Sequence, residues 1–180
     1  VSALEELPPS PGRLELITLP NGACILRDDF KSTLETIDAA LDVLEQIPAR
    51  RRIVALGEVS EPPGSQGPIY RSIGARLAAI ASRVIFICDQ RVKQGYAAGA
   101  ARGGMSRDVM AHVGKSVLKA AEMLHSELKA GDVVLIKGRD NQRLDRITLA
   151  LLGHNVRCDM SFCNVNSTRR CANCKLLGHG

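Results

Sequence analysis

The sequence contains no apolar run approaching the ~18 residues that a membrane-crossing helix requires. Nor does it open with a basic stretch followed by a hydrophobic core, so neither a span nor an export signal is read from it. A Gly-x-x-x-x-Gly-Lys-Ser/Thr loop is missing, which excludes the usual P-loop cradle for nucleotide phosphates. Internal repeats are missing too, which excludes repeat arrays. Charge of one sign is scarce: 24 Lys and Arg against 19 Asp and Glu leave +5, too little to imply a nucleic-acid partner. Arg50, Arg51 and Arg52 form one cluster and Arg169 with Arg170 another; both read as solvated patches.

What is present is enough for one domain. With 180 residues and 45% hydrophobic content, the chain can bury a single core and carry a small appendage. The first residue is Val1, and Pro8, Pro9 and Pro11 give residues 1–11 the look of a linker, so an upstream part is expected. A domain over residues 12–156 and a Cys-rich tail over 157–180 follow.

After Gly12, strand-like and helix-like segments alternate, the pattern of an α/β domain with a largely parallel sheet. Leu14 to Leu19 and Ala23 to Arg27 flank Pro20-Asn21-Gly22 and predict an antiparallel edge hairpin. Ser32, with Glu35 three positions on, predicts a capping box. Leu34, Ile37, Leu41, Leu44 and Ile47 line the helix that it opens, and Pro48 stops it. Further strands are expected at Ile53 to Leu56, Val84 to Cys88 and Val133 to Lys137. Helical spacing marks Ile69 to Ile80, Val117 to Leu128 and Leu144 to Leu151, whereas the Gly- and Ala-rich stretch from Val92 to Ser106 predicts a short helix and a flexible turn. The expected fold is therefore Rossmann-like: a mostly parallel sheet with an antiparallel edge hairpin, flanked by helices, plus the tail.

Two groups of residues stand where open α/β sheets collect ligands. Lys137-Gly138-Arg139 ends a strand and precedes a helix, where free backbone N–H groups favour an anion such as a substrate carboxylate; a glycine turn with two exposed cations is the plainer alternative. Glu58 and Glu61 lie on a loop after another strand and could touch an amine, or could be a solvated loop.

Several segments, in order, resemble the third domain of the Mur ligases, which build the peptide stem of bacterial peptidoglycan. Gly12-Arg13-Leu14-Glu15 resembles the Gly-Arg-x-Glu that opens that domain, and Asp28-Asp29-Phe30-Lys31 its aspartate-led loop. Val133 to Gly138 is similar to its Gly-Asp-x-Val-Leu-x-Lys-Gly strand and turn. Leu56-Gly57-Glu58 to Glu61 resembles a stretch of the branch that adds D-alanyl-D-alanine, the closest branch in overall pattern, with Tyr70 where a His is common. Asp29-x-Lys31-x-Thr33 looks closer to the glutamate-adding branch. The resemblance covers about residues 10 to 155.

The resemblance implies a domain that swings onto a central ATPase domain and closes over ATP and an amino acid or dipeptide. A cytoplasmic, ATP-dependent amide ligase would result, activating a carboxylate-bearing precursor as an acyl phosphate. Arg13 and Asp29 are then placed on the ATP side, the first as a planar fork for ribose or phosphate oxygens and the second as an acceptor for ribose hydroxyls or a cation's partner. Lys31 is a point charge for the γ-phosphate or the incoming carboxylate. ATP and Mg²⁺ would be held mainly elsewhere, no catalytic residue is assigned here, and the domain alone is expected to be inactive. A related ligase making a folate polyglutamate or a poly-amino-acid chain is a further possibility.

The cysteines divide. Cys24 and Cys88 fall in predicted strands as small hydrophobes. Cys158, Cys163, Cys171 and Cys174 crowd the last 23 residues and end in Cys-x₂-Cys, the knuckle spacing of tetrahedral zinc. A structural zinc clip is the expectation, with disulfides or plain thiols as alternatives. A zinc knuckle that binds RNA or protein is a rival, but His179 lacks a following Cys and Phe162 is the one aromatic in the tail available for stacking on bases.

Overall fold

The computed structural model describes residues 10–62, 64–165 and 170–179. Six strands, β1 (Glu15–Thr18), β2 (Cys24–Asp28), β3 (Arg51–Leu56), β4 (Arg83–Phe86), β5 (Met110–His112) and β6 (Asp132–Lys137), form one sheet in the order β1-β2-β6-β3-β4-β5. The β1–β2 pair is antiparallel and every other pair is parallel. Five helices connect or flank them: α1 (Leu34–Gln46), α2 (Gln66–Ile80), α3 (Gln90–Arg102), α4 (Val117–Glu127) and α5 (Asp145–Leu151).

Strand alternation divides the core in two. Leu26, Val54, Phe86 and Leu135 face α1, α2 and α3, while Ile25, Ile53, Ile85 and Ile136 face α4 and α5. The chain runs β2, β3, β4, β5 and then returns to insert β6 between β2 and β3. β6 thus sends its following helix to the opposite face from both neighbours, and this reversal opens a crevice at their carboxyl ends.

Four local expectations are revised. α1 starts at Leu34 with Thr33 as N-cap and no side-chain cap bond, so the Ser32 and Glu35 capping box does not form; Ser32 is buried instead. The hairpin places a positive φ at Gly22 but not at Asn21, whose side-chain oxygen accepts from the Ala23 N–H. The Gly- and Ala-rich stretch is a full helix, α3, capped by Asp89 accepting from the Val92 N–H. Its Gly99 lies so close to the Arg71 backbone that a Cβ there would collide with it, and Gly74 on α2 meets the backbone at Tyr96 in the same way, so small residues set this helix contact. β5 is an additional edge strand of three residues.

The arginine cluster is structural. Arg51 binds the fully buried Asp132 at 2.6 Å and donates to the Glu127 carbonyl at 2.7 Å. Arg52 donates to the Leu44, Glu45 and Ile47 carbonyls, closing the end of α1. Arg169 lies outside the described residues, and Arg170 donates to the Pro11 carbonyl at 3.0 Å.

Candidate functional site at the carboxyl edge of the sheet

The loops after β2, β3 and β6 meet at the crevice. Lys137, last residue of β6, is fully buried; its ammonium stands 2.8 Å from the Asp28 carboxylate and also donates to the Thr36 hydroxyl and the Lys31 carbonyl. Burial lowers its pKa, against the opposing pull of Asp28. This amine is therefore committed to holding β2, β6 and the start of α1 together, and reaches no ligand directly.

An open cavity of ≈ 190 Å³ beside that pair is lined by Arg13, Leu14, Asp28, Lys31 and Thr36. Arg13 and Lys31 are exposed, and the Arg13 guanidinium lies 4.5 Å over the Phe30 ring, held at the rim by a cation–π contact. Gly12, the first residue of the same motif, takes φ +74° and sits where a Cβ would strike the Asp29 carboxylate.

Asp29 faces the other way. It is buried, accepts from Arg27 Nε at 2.9 Å and lines a small cleft with Arg143, Asp145 and Arg170. Burial pushes its pKa up to about 6, against the lowering effect of Arg27. Sequence reasoning passed over Asp28, which shares the Arg13 and Lys31 cavity; only the sheet register, with Asp28 opposite Lys137, distinguishes the two aspartates.

Glu58 is buried after β3, 3.4 Å from Lys115 and 3.7 Å from Arg139. Lys115 and Arg139 both approach the Phe162 ring, at 4.6 Å and 5.9 Å. Gly138 is buried and packs against Leu144, leaving no space for a Cβ. Glu61 is exposed and apart from Glu58 in its bonding, so the two do not act as a pair among the described residues. Tyr70 packs edge-on to Tyr96 at 4.9 Å, and burial followed by the charge of Glu58 pushes its hydroxyl up to about 12.

A second residue not anticipated from sequence joins these loops. The Gln142 side-chain oxygen accepts from the Glu58 N–H at 2.9 Å and the Arg139 N–H at 3.3 Å, and its amide donates to the Ile87 carbonyl at 3.1 Å. The segments following β3, β4 and β6 are pinned by one side chain, and Gly57 admits it because a Cβ there would overlap the Gln142 amide.

The four tail cysteines gather around one small cavity beside α5, although among the described residues no three Cys, His, Asp or Glu side chains stand in metal-ligating geometry. The Cys24 and Cys88 thiols lie apart from them, Cys88 buried after β4.

A family model described as "Mur ligase, glutamate ligase domain" matches residues 12–139. The chain belongs to this Mur ligase family. The Mur ligase domain is 27% identical over 132 residues to the UDP-N-acetylmuramoyl-tripeptide–D-alanyl-D-alanine ligase of Synechocystis, spanning 73% of this chain and 28% of that protein. It shares its fold with MurF ligase from Thermotoga maritima solved with ADP (TM-score 0.66, 21% identity, 82% of this chain and 31% of that one). It also shares it with MurF from Acinetobacter baumannii (TM-score 0.70, 17% identity, 84% and 33%). The chain thus spans about a third or less of the length of these relatives. None of the described helices is long and apolar enough to cross a membrane.

Proposed function

We propose that this chain is the closing domain of a cytoplasmic, ATP-dependent acid–amino-acid ligase that adds D-alanyl-D-alanine to a muramoyl-tripeptide precursor. The observation that carries the reading is the cavity where Arg13 and Lys31, both exposed, flank Asp28 at the crevice of a Mur ligase fold. The likeness to the Synechocystis ligase supports the choice of branch.

In this reading the precursor carboxylate takes the γ-phosphoryl group of ATP to give an acyl phosphate and ADP. The amine of the incoming dipeptide then attacks the acyl carbon, phosphate leaves, and the amine's proton is lost as the amide forms. A central domain of the kind the family possesses would supply the phosphate-binding loop that this chain lacks. The Arg13 fork binds ribose or phosphate oxygens, and Lys31 offers a second cation to the phosphoryl group or the dipeptide carboxylate. In this reading Arg139, partly exposed and 3.7 Å from Glu58, offers a further cation to a substrate carboxylate. Lys137, Gly138 and Asp29 shape these loops from behind. Asp28 and Asp29 are each engaged by a cation, Lys137 and Arg27, so the aspartate loop does not fit a Mg²⁺ site and no step is assigned to that ion here.

The test is ADP release by the full-length ligase. Turnover that requires D-alanyl-D-alanine, and an Arg13→Ala variant whose KM for ATP rises roughly tenfold or more, the worth of one charge-assisted contact, supports the reading. Turnover with glutamate and a folate instead, or an unchanged KM in that variant, overturns it.

A further inference from the structure

We propose that Cys158, Cys163, Cys171 and Cys174 bind one zinc ion as four thiolates, in a site that fastens the tail to α5. This goes beyond the ligase reading and does not depend on it.

All four cysteines line a single cavity of ≈ 30 Å³, with Arg143 and Arg146 in its wall. The cavity is wider than a closed thiolate cage, so the sulfurs stand around a shared space without yet converging on one point. The chain closes around it without help from long secondary structure. The N–H groups of Arg157 and Cys158 both donate to the Leu177 carbonyl, at 2.8 and 3.1 Å, and Leu177 N–H donates to the Cys174 carbonyl at 3.1 Å. These bonds bring the Cys158 side of the tail against the Cys174 side. Cys171 and Cys174 are joined by a 3₁₀ turn in which the Cys174 N–H donates to the Cys171 carbonyl at 3.0 Å. The Cys163 N–H donates to the Asn141 carbonyl at 2.8 Å, anchoring the remaining ligand to the loop before α5.

The surroundings of Arg146 favour a metal over its alternatives. Arg146 is 1% exposed, yet its partners are the carbonyls of Gln142, Arg143, Cys158 and Met160 and the Cys158 sulfur at 3.3 Å. Among the described residues it has no carboxylate partner, so a buried cation lacks a full counter-charge, an unfavourable arrangement. Two disulfides or four neutral thiols would leave it so. A Zn²⁺ with four thiolates carries a net charge of roughly −2, supplying that counter-charge at the wall where Arg146 stands. Four thiols lose their protons to solvent as the ion enters, and no oxidant is needed. Zinc binding requires the four sulfurs to close to about 2.3 Å from the shared ion.

The experiment uses the full 180-residue chain, purified under reducing, zinc-replete conditions. Metal is measured by mass spectrometry of the native protein, and Co²⁺ is titrated into the zinc-stripped chain while its absorption is followed. The expected result is one zinc per chain, with intense sulfur-to-cobalt charge transfer and tetrahedral d–d bands. Metal is lost when Cys171 and Cys174, or Cys158 and Cys163, are changed to Ser, and retained in Cys24→Ser. The cobalt spectrum of the unmodified chain keeps the test valid if a Cys variant misfolds. A metal-free chain with every tail thiol open to alkylation overturns the proposal, as do tail disulfides persisting under reduction or cobalt bands without thiolate character.

Discussion

The Lys137 ammonium lies 2.8 Å from the Asp28 carboxylate across the β2–β6 pair, with the lysine side chain wholly buried and the aspartate side chain 11% exposed. An ion pair in this position stabilises through its partnership, since each charge alone would be left in a poorly solvating interior. Lys137→Met is expected to lower stability by about 3 kcal/mol by isolating Asp28, and Asp28→Asn added to it should restore part of the loss. Urea unfolding of the single and double variants reads this out; a Lys137→Met chain that unfolds with the unmodified midpoint contradicts it.

Asp29 predicts a pH dependence of known sign. Its carboxyl rises from 3.8 to about 6 on folding, so between those values the folded chain binds the proton more tightly than the unfolded one. The residue therefore withdraws stability as pH rises through that window, with its full cost, up to about 3 kcal/mol, present above it. Asp29→Asn mimics the protonated form. The variant should be more stable than the parent at neutral pH, and the gap should close near pH 4. Equal slopes of stability against pH in both proteins would show that Asp29 does not carry the effect.

Gln142 accepts two backbone N–H groups and donates to one carbonyl. Gln142→Ala leaves these buried groups unpaired at a cost of about 1–3 kcal/mol for each one that water cannot reach. Hydrogen exchange at the Glu58 and Arg139 amides should accelerate together; acceleration at one alone would mean that the two loops are held independently.

At the α2–α3 contact, Gly99→Ala places a methyl group against the Arg71 backbone. Overpacking of this kind costs about 1–3 kcal/mol and outweighs the better helix propensity of alanine. Thermal unfolding is the check, and a variant as stable as the parent would show that the helices separate freely.

The sequence made the architecture legible wherever periodicity was strong. The edge hairpin, the buried strands at Ile53 and Val133 and the helices at Leu34, Ile69 and Val117 all stand near their expected places. β5 escaped notice because three residues are too few to show alternation, and α3 because its glycines signal a turn until the α2 backbone is seen against them. At the candidate site, the motif drew attention to Arg13 and Lys31, which line one cavity. Lys137 reads from sequence as a cation open to an anionic ligand or to solvent because its partner, Asp28, is 109 positions away and only sheet register unites them. Gln142 carried no signal at all: its role depends on three loops that adjoin only in the folded chain.

The bond from Arg170 to the Pro11 carbonyl spans 159 positions and ties the last segment of the chain to the residues where the domain begins. Any pivot at residues 10–12 must drag the tail with it or break that bond. The tail and the entrance to the domain are thus coupled for as long as that one bond holds.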